Sequence, residues 1–333
     1  MDLVTRVKRL PGKGETVMGT SFLTTPGGKG ANQAVAAAKL GVKTSLIGRV
    51  GDDAWGTELI AGLAAVGVET DGITIEPGVH SGVAVITVAE SGENQIVGVY
   101  GANDRLDESD IERLKIQLVG AKVLLLQWEV PVKAVKQAAQ VAHEMGVTVV
   151  LDPAPVRKEF DRSLYEFIDV LIPNEVEATQ LVGFEVTNQD TAKMACRVFH
   201  TDGIKQVVIK LGAKGAFYSS LKSPLDSEER VRIGFQLEPY NDPNIDPEAA
   251  MEAYWESKTE TRFIPAFKVS AIDAVAAGDA FAGAFAVALC EGKTDLDAVR
   301  WGCAAGALAT TKVGAQVAMS DRMSFDAFLD GVK

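Results

Sequence analysis

The sequence predicts an α/β fold: a mostly parallel, doubly wound sheet flanked by helices, with a small β-sheet set apart as a lid. Short apolar runs at 123–126, 147–151, 170–172 and 207–209 alternate with helical segments. Strands without a polar face belong in a sheet covered on both sides. Glu129, Asp152, Asn174, Glu177 and Asp279 stand at or just after the ends of apolar runs, where such sheets bind ligands. Residues 83–88 and 95–100 flank Glu90-Ser-Gly-Glu93, which reads as a hairpin outside the main alternation.

In chain order, Leu3, Val4 and Val7 read as the end of a strand with nothing before it. A turn at 11–14 and a short strand at 16–23 follow; that strand and 83–100 form the small sheet. Pro26-Gly-Gly-Lys-Gly-Ala-Asn-Gln33 runs into an alanine-rich helix at 34–40, and glycines there permit close backbone approach to a ligand. Residues 44–50 predict a strand, 55–66 an amphipathic helix and 132–145 another helix. Asp152-Pro-Ala-Pro155, Pro173-Asn-Glu-Val-Glu177 and Leu211-Gly-Ala-Lys-Gly215 each follow a strand. Residues 222–261 break the pattern: ten acidic side chains face four basic ones, contributing −6 of the net charge of −12. That composition predicts a mobile surface insertion, with one short helix at 247–255. An apolar strand-like run from Phe263 to Val269 precedes small-residue helices at 280–289 and 296–311. With 333 residues, the chain is expected to form a single domain.

Composition excludes several classes. A hydrophobic content of 47% with 23% charged residues is that of a globular protein. No apolar run reaches the length of a membrane span, and the start has no signal-peptide layout. Cys196, Cys290 and Cys303 lie far apart, which fits a reducing compartment, and a cytoplasmic location is expected. The net charge of −12 argues against nucleic acid as a partner. Gly28-Lys-Gly30 is no dinucleotide fingerprint, since Gln33 replaces the third glycine. Gly292-Lys-Thr294 is no phosphate loop, since Val287 replaces its first glycine.

The densest signal is Asp273-Ala-Val-Ala-Ala-Gly-Asp-Ala-Phe281. Small residues at a helix start leave amides free at the positive end of the dipole, which suits a phosphate or a developing anion. Asp279, in the first turn, can be a helix cap or a base beside that anion site.

Four motifs then coincide in order and spacing: Gly27-Gly-Lys-Gly-Ala-Asn-Gln33, Glu129 after an apolar strand, Asn174-Glu-Val-Glu177, and Ala276-Ala-Gly-Asp279. Together they resemble the ribokinase family of PfkB-type sugar kinases, over nearly the whole chain apart from the insertion. The resemblance implies ATP-dependent phosphorylation of a sugar, D-ribose at its 5-hydroxyl, with Mg²⁺ and K⁺. It makes Asp279 the base and the amides of Ala276, Ala277 and Gly278 the anion hole. It makes Asp2, Gly28, Lys29, Asn32, Glu129 and Asp279 the sugar ligands. Asn174 and Glu177 would organise the Mg²⁺-nucleotide phosphates; Lys210, Leu211, Gly212, Ala213, Lys214, Gly215, Gly278 and Cys303 would contact the nucleotide. Asp273, with the backbones of Val275, Ala309, Lys312 and Gly314, would hold the potassium ion. Lid pairing implies a homodimer.

The chain departs from the family in three places. The family's first strand is represented only by its end, with Asp2 matching its aspartate, so the amino-terminal strand is expected to be truncated. Cys303 stands where Asn or His is common, and Ala318 where a serine often helps hold the cation. Alternatives are a PfkB-type kinase for another pentose, a nucleoside or a sugar acid, and a catalytically impaired sugar-binding protein. A nicotinamide dehydrogenase is a distant further one.

Overall fold

The computed structural model describes residues 1–157, 159–226, 229 and 247–331. The elements are β1 Asp2–Val7, β2 Gly19–Thr25, α1 Lys29–Lys39, β3 Thr44–Ser45, β4 Gly48–Gly51, α2 Ala54–Ala65, β5 Val68–Glu69, β6 Ile73–Glu76, β7 Val83–Ala89 and β8 Asn94–Val99. There follow α3 Glu108–Gln117, β9 Val123–Leu126, α4 Val132–Glu144, β10 Thr148–Leu151, β11 Val170–Leu171, α5 Glu175–Val182, α6 Gln189–Thr201, β12 Gln206–Lys210 and β13 Gly215–Leu221. The chain continues with α7 Pro247–Lys258, β14 Thr259–Pro265, α8 Ala277–Cys290, α9 Asp295–Ala309 and α10 Arg322–Gly331.

The main sheet has the order β14-β13-β12-β11-β10-β9. Strands β9 to β12 run parallel, and β13 and β14 add antiparallel at one edge. Its strands are apolar because both faces are covered. One core cluster gathers α1, α8 and α9, the other α4 and α6. Helix α8 is nearly all small residues because it crosses α1 closely: a Cβ on Gly283 would lie 2.5 Å from that of Ala36.

The small sheet differs from the expectation. It has four strands in the order β2-β1-β7-β8. Strand β1 lies inside it, antiparallel to β2 and parallel to β7; two-sided pairing, not apolar content, places it there. Strand β2 runs from Gly19 to Thr25, so Thr16 to Met18 of the expected strand lie outside it. Phe22, Ile96 and Val97 stand 66%, 60% and 62% exposed on this sheet.

The strand expected at 44–50 is two short ones. β3 pairs with β5 and β4 with β6, each as a separate two-stranded parallel sheet. Neither joins β9, whose one partner among the described residues is β10. Between them opens a cavity of about 1230 Å³ walled by Leu46, Ile47, Val50, Leu63, Leu124 and Val287, among others.

Of the acidic insertion, residues 227, 228 and 230–246 lie outside the described residues. Helix α7 runs three residues beyond the expected 255 and is packed down. Trp255 is 2% exposed and stacks on His200, with ring centroids 6.3 Å apart. Glu252 pairs with Lys193 and Arg197 of α6. A buried aromatic and two ion pairs anchor this part, which bulk acidity did not disclose.

Candidate active site

The turn before α1 builds one wall of the site. Gly27 passes so close to Asp2 that an added Cβ would lie 2.3 Å from the Asp2 Oδ2. Gly28 takes φ 90°, a value that favours glycine, and turns the chain beside Glu129. The Lys29 amide then donates to Glu129 Oε2 at 2.7 Å. The glycines thus bring the backbone against two carboxylates, and Lys29 and Gly30 already belong to α1.

One turn further, α1 meets α8. Asn32 Nδ2 donates to Asp279 Oδ2 at 2.9 Å, and Gln33 Nε2 donates to Asp279 Oδ1 at 3.1 Å. Asp279 is 4% exposed. Its two oxygens take side-chain donors from α1, so it is not the cap of its own helix. The Asn32 Oδ1 is buried with no partner among the described residues, an unsatisfied acceptor beside Asp279. Burial pushes the Asp279 carboxyl above the ordinary carboxylate range; Lys29 opposes that shift and Asp152 reinforces it. Burial alone would lower the Lys29 ammonium, but Asp279, Asp152, Glu177 and Glu129 outweigh it and raise it above its usual value. Glu129 and Asp2 are both raised, chiefly by burial.

Helix α8 begins without a side-chain cap. Its first flanking residue, Ala276, has φ 56°, a left-handed conformation that costs an alanine roughly 1 kcal/mol. The strain turns the chain sharply before Ala277. The Ala277 amide reaches Ala274 O at 3.3 Å, so of the three predicted anion-hole donors it is the one with a long bond inside the loop. Uncapped amides at a helix start attract negative charge.

The predicted nucleotide side is local. Asn174 and Glu177 form a reciprocal capping box on α5: Glu177 N donates to Asn174 Oδ1 at 2.8 Å and Asn174 N to Glu177 Oε2 at 2.7 Å. Lys210 ends β12 and donates to Asp152 Oδ1 at 2.9 Å. Gly212, Ala213 and Lys214 form a short turn, and Lys214 Nζ reaches Glu175 Oε1 at 3.1 Å. Gly215 has φ 128°, and an added Cβ would lie 2.1 Å from Ile264 O. Leu211 is 1% exposed and its side chain belongs to the core; only its backbone is available to a ligand. Cys303 is likewise a core residue, and burial pushes its thiol up to about 12.

Asp273 links the two loops of the predicted cation site. Its Oδ1 accepts from Val275 N at 3.0 Å and its Oδ2 from Gly314 N at 2.9 Å. Ala309 O accepts from Lys312 N at 3.3 Å. Ala318 is buried. Among the described residues no group of three or more His, Cys, Asp or Glu is placed to hold a metal ion.

Two residues of the site were left off the predicted ligands. Gln33 Nε2 also donates to Asp152 Oδ2 at 2.9 Å, so a single amide joins two carboxylates. Asp152 stood out in sequence as a polar strand end; Gln33 carried no signal beyond its motif.

A profile of the pfkB family of carbohydrate kinases matches residues 1–235 and 248–322. A ribokinase from Haemophilus influenzae is 39% identical over 95% of this chain and 91% of its own length. A deoxyribokinase from Salmonella typhi is 33% identical over 86% of the chain and 81% of its own length. The solved ribokinase of Arabidopsis thaliana, complexed with ribose and ATP, is 30% identical and superposes with a TM-score of 0.78, covering 98% of this chain and 95% of that one.

Proposed function

The chain belongs to the pfkB family of carbohydrate kinases, and from that premise we propose that it transfers the γ-phosphoryl group of ATP to the 5-hydroxyl of D-ribose. The observation that carries this reading is the Asp279 carboxylate, buried, oriented by two amides from α1 and set at the uncapped start of α8.

Asp279 accepts the hydroxyl proton as the sugar oxygen bonds to the γ-phosphorus and the bond to ADP breaks. Its raised proton affinity suits a base. The amides at the α8 start receive the charge that builds on the phosphoryl oxygens. Asp2, Glu129, Lys29 and the unsatisfied Asn32 Oδ1 hold the other sugar hydroxyls. The capping box presents Asn174 and Glu177 toward the nucleotide phosphates. The lid sheet closes over the sugar, and its exposed Phe22, Ile96 and Val97 support pairing with a second copy as a homodimer. The free cysteines suit the cytoplasm; no described helix is long and apolar enough to cross a membrane.

A divalent ion fits this donor set as an ion carried by the nucleotide, since no described cluster forms a cage and Mg²⁺ is commonly held through substrate phosphates and water. When bound it neutralises charge on the phosphates. A monovalent ion fits between the loops that Asp273 ties together, with carbonyls of Val275, Ala309, Lys312 and Gly314 as ligands. Turnover is expected to fall when sodium replaces potassium, and equal rates in the two salts would remove this site.

The reading is tested by ADP release coupled to a panel of D-ribose, 2-deoxy-D-ribose, other pentoses and nucleosides. Preference for 2-deoxyribose would move the assignment to a deoxyribokinase. Ribose binding by calorimetry without turnover would replace it with a sugar-binding protein.

A further inference from the structure

The transfer as described leaves Asp152 without work and uses Gln33 only for its bond to Asp279, although each is 1% exposed. The Gln33 amide is pinned at both ends. Its Nε2 donates to Asp152 and Asp279, while its Oε1 accepts from Gln127 Nε2 at 2.5 Å. Turning the amide over would aim its oxygen at two carboxylates and its nitrogen at a donor, so one orientation is enforced. The second oxygen of Asp152 holds the Lys210 ammonium. That ammonium stands beside the α8 start: a Cβ on Gly278 would lie 3.6 Å from it.

We propose that Asp152 is a positioning residue for phosphoryl transfer, fixing the Asp279 carboxylate through Gln33 and holding Lys210 beside Gly278, from where Lys210 passes to the phosphoryl oxygens when nucleotide binds. The inference rests on the kinase reading. A phosphate brings more negative charge than one carboxylate, so an ammonium already beside its path moves a short way to a stronger partner. Asp152 is then left with Gln33 as its remaining donor. Its charge already favours the protonated form of Asp279, so Lys210 departure strengthens the base as the donor phosphate arrives.

The test uses the full chain with Asp152→Asn, Lys210→Met and the double variant, measured with ribose and Mg-ATP. Each single change is expected to lower kcat by at least about tenfold while KM for ribose stays within about twofold. The double variant is expected to be no slower than the slower single one, because both act through one unit. Losses that multiply, or a kcat within about twofold of the unmodified protein in either single variant, would overturn the proposal. Thermal melting establishes that the variants are folded; if Asp152→Asn does not fold, the kcat of Lys210→Met decides by the same criterion. The nuclear magnetic resonance signal of the Gln33 side-chain amide gives a readout independent of turnover. It must move in Asp152→Asn, or in Lys210→Met where the former is unfolded, and an unmoved signal overturns the link. Absence of turnover in the unmodified protein would count against the kinase reading alone, and the amide signal would still decide this one.

Discussion

On the side of the site proposed for the nucleotide, Asn174 and Glu177 stand three residues apart and cap each other, and Lys210 to Gly215 form one strand end and one turn. The strands beneath them are closed on both edges, and Val170, Leu171 and Val207 to Ile209 are at most 2% exposed. The side proposed for the sugar is assembled from Asp2, Gly27 to Gln33, Glu129 and Asp279, with bonds that join residues 247 positions apart. It stands over the wide cavity, where the apolar strand β9 is half-buried and unpaired along one edge. Local hydrogen bonds can hold the first arrangement by themselves. The second exists only when the whole fold is in place, so chemistry and structural fragility coincide there.

The largest test of this contrast is Asp279→Asn, which keeps the shape and removes the proposed base. A loss of kcat on the order of 10²–10⁴ is expected, with ADP and ATP affinity unchanged because the side-chain donors to Asp279 are Asn32 and Gln33, and none comes from Asn174, Glu177 or residues 210–215. Weakened nucleotide binding would join the two sides and break the comparison. The pH profile sharpens it. Burial raises the Asp279 carboxyl above its ordinary value of 3.8, and the base works deprotonated. Activity therefore falls as pH drops through the raised value, so the acid limb of kcat lies above pH 3.8. A limb at or below that pH would show that another group governs it.

A smaller effect is expected in hydrogen exchange. Amides of β9 that do not face β10 look into the cavity, whereas those of β11 and β12 are paired within the sheet. The former are expected to exchange at least about tenfold faster, as open edges do. Equal protection would show that the cavity closes in solution and that both sides share one stability.

The same contrast explains what could be read in advance. The apolar runs that became β9 to β12 were legible because a sheet covered on both faces leaves a continuous hydrophobic signature. The Asn174-Glu-Val-Glu177 motif was legible for the same kind of reason, since both residues of what became the capping box lie within one turn. Helices α3, α5, α6 and α10 went unread, because their short or mixed patterns are decided by packing. Strand β1 was read as a strand end but left out of the small sheet, since pairing to β2 and β7 is a long-range choice that Leu3 and Val4 do not announce. The link from Gln33 to Asp152 and Asp279 was out of reach: its three residues come from separate segments, and only folding brings their polar atoms together. Asp279 itself could be cap or base on local grounds, and the distinction appears when Asn32 and Gln33 occupy its oxygens.

The smallest expected effect belongs to Asn174→Ala. The substitution removes the acceptor for Glu177 N and also the Nδ2 donor that reaches Glu177 Oε1 at 2.7 Å. Loss of an asparagine cap costs about 1 kcal/mol. Glu177 is already pushed up by burial, and without that donor its charged form becomes still less favourable. The box should therefore loosen at α5, lowering the melting temperature by about 1–2 °C for a chain of this size, and raising KM for ATP. KM for ribose should not move, because none of the bonds to Asp279, Lys29 or Glu129 passes through α5. A parallel rise in both constants would mean that Lys210, bridged to Asn174 through the strand ends, transmits the change to Asp152 and from there to the base.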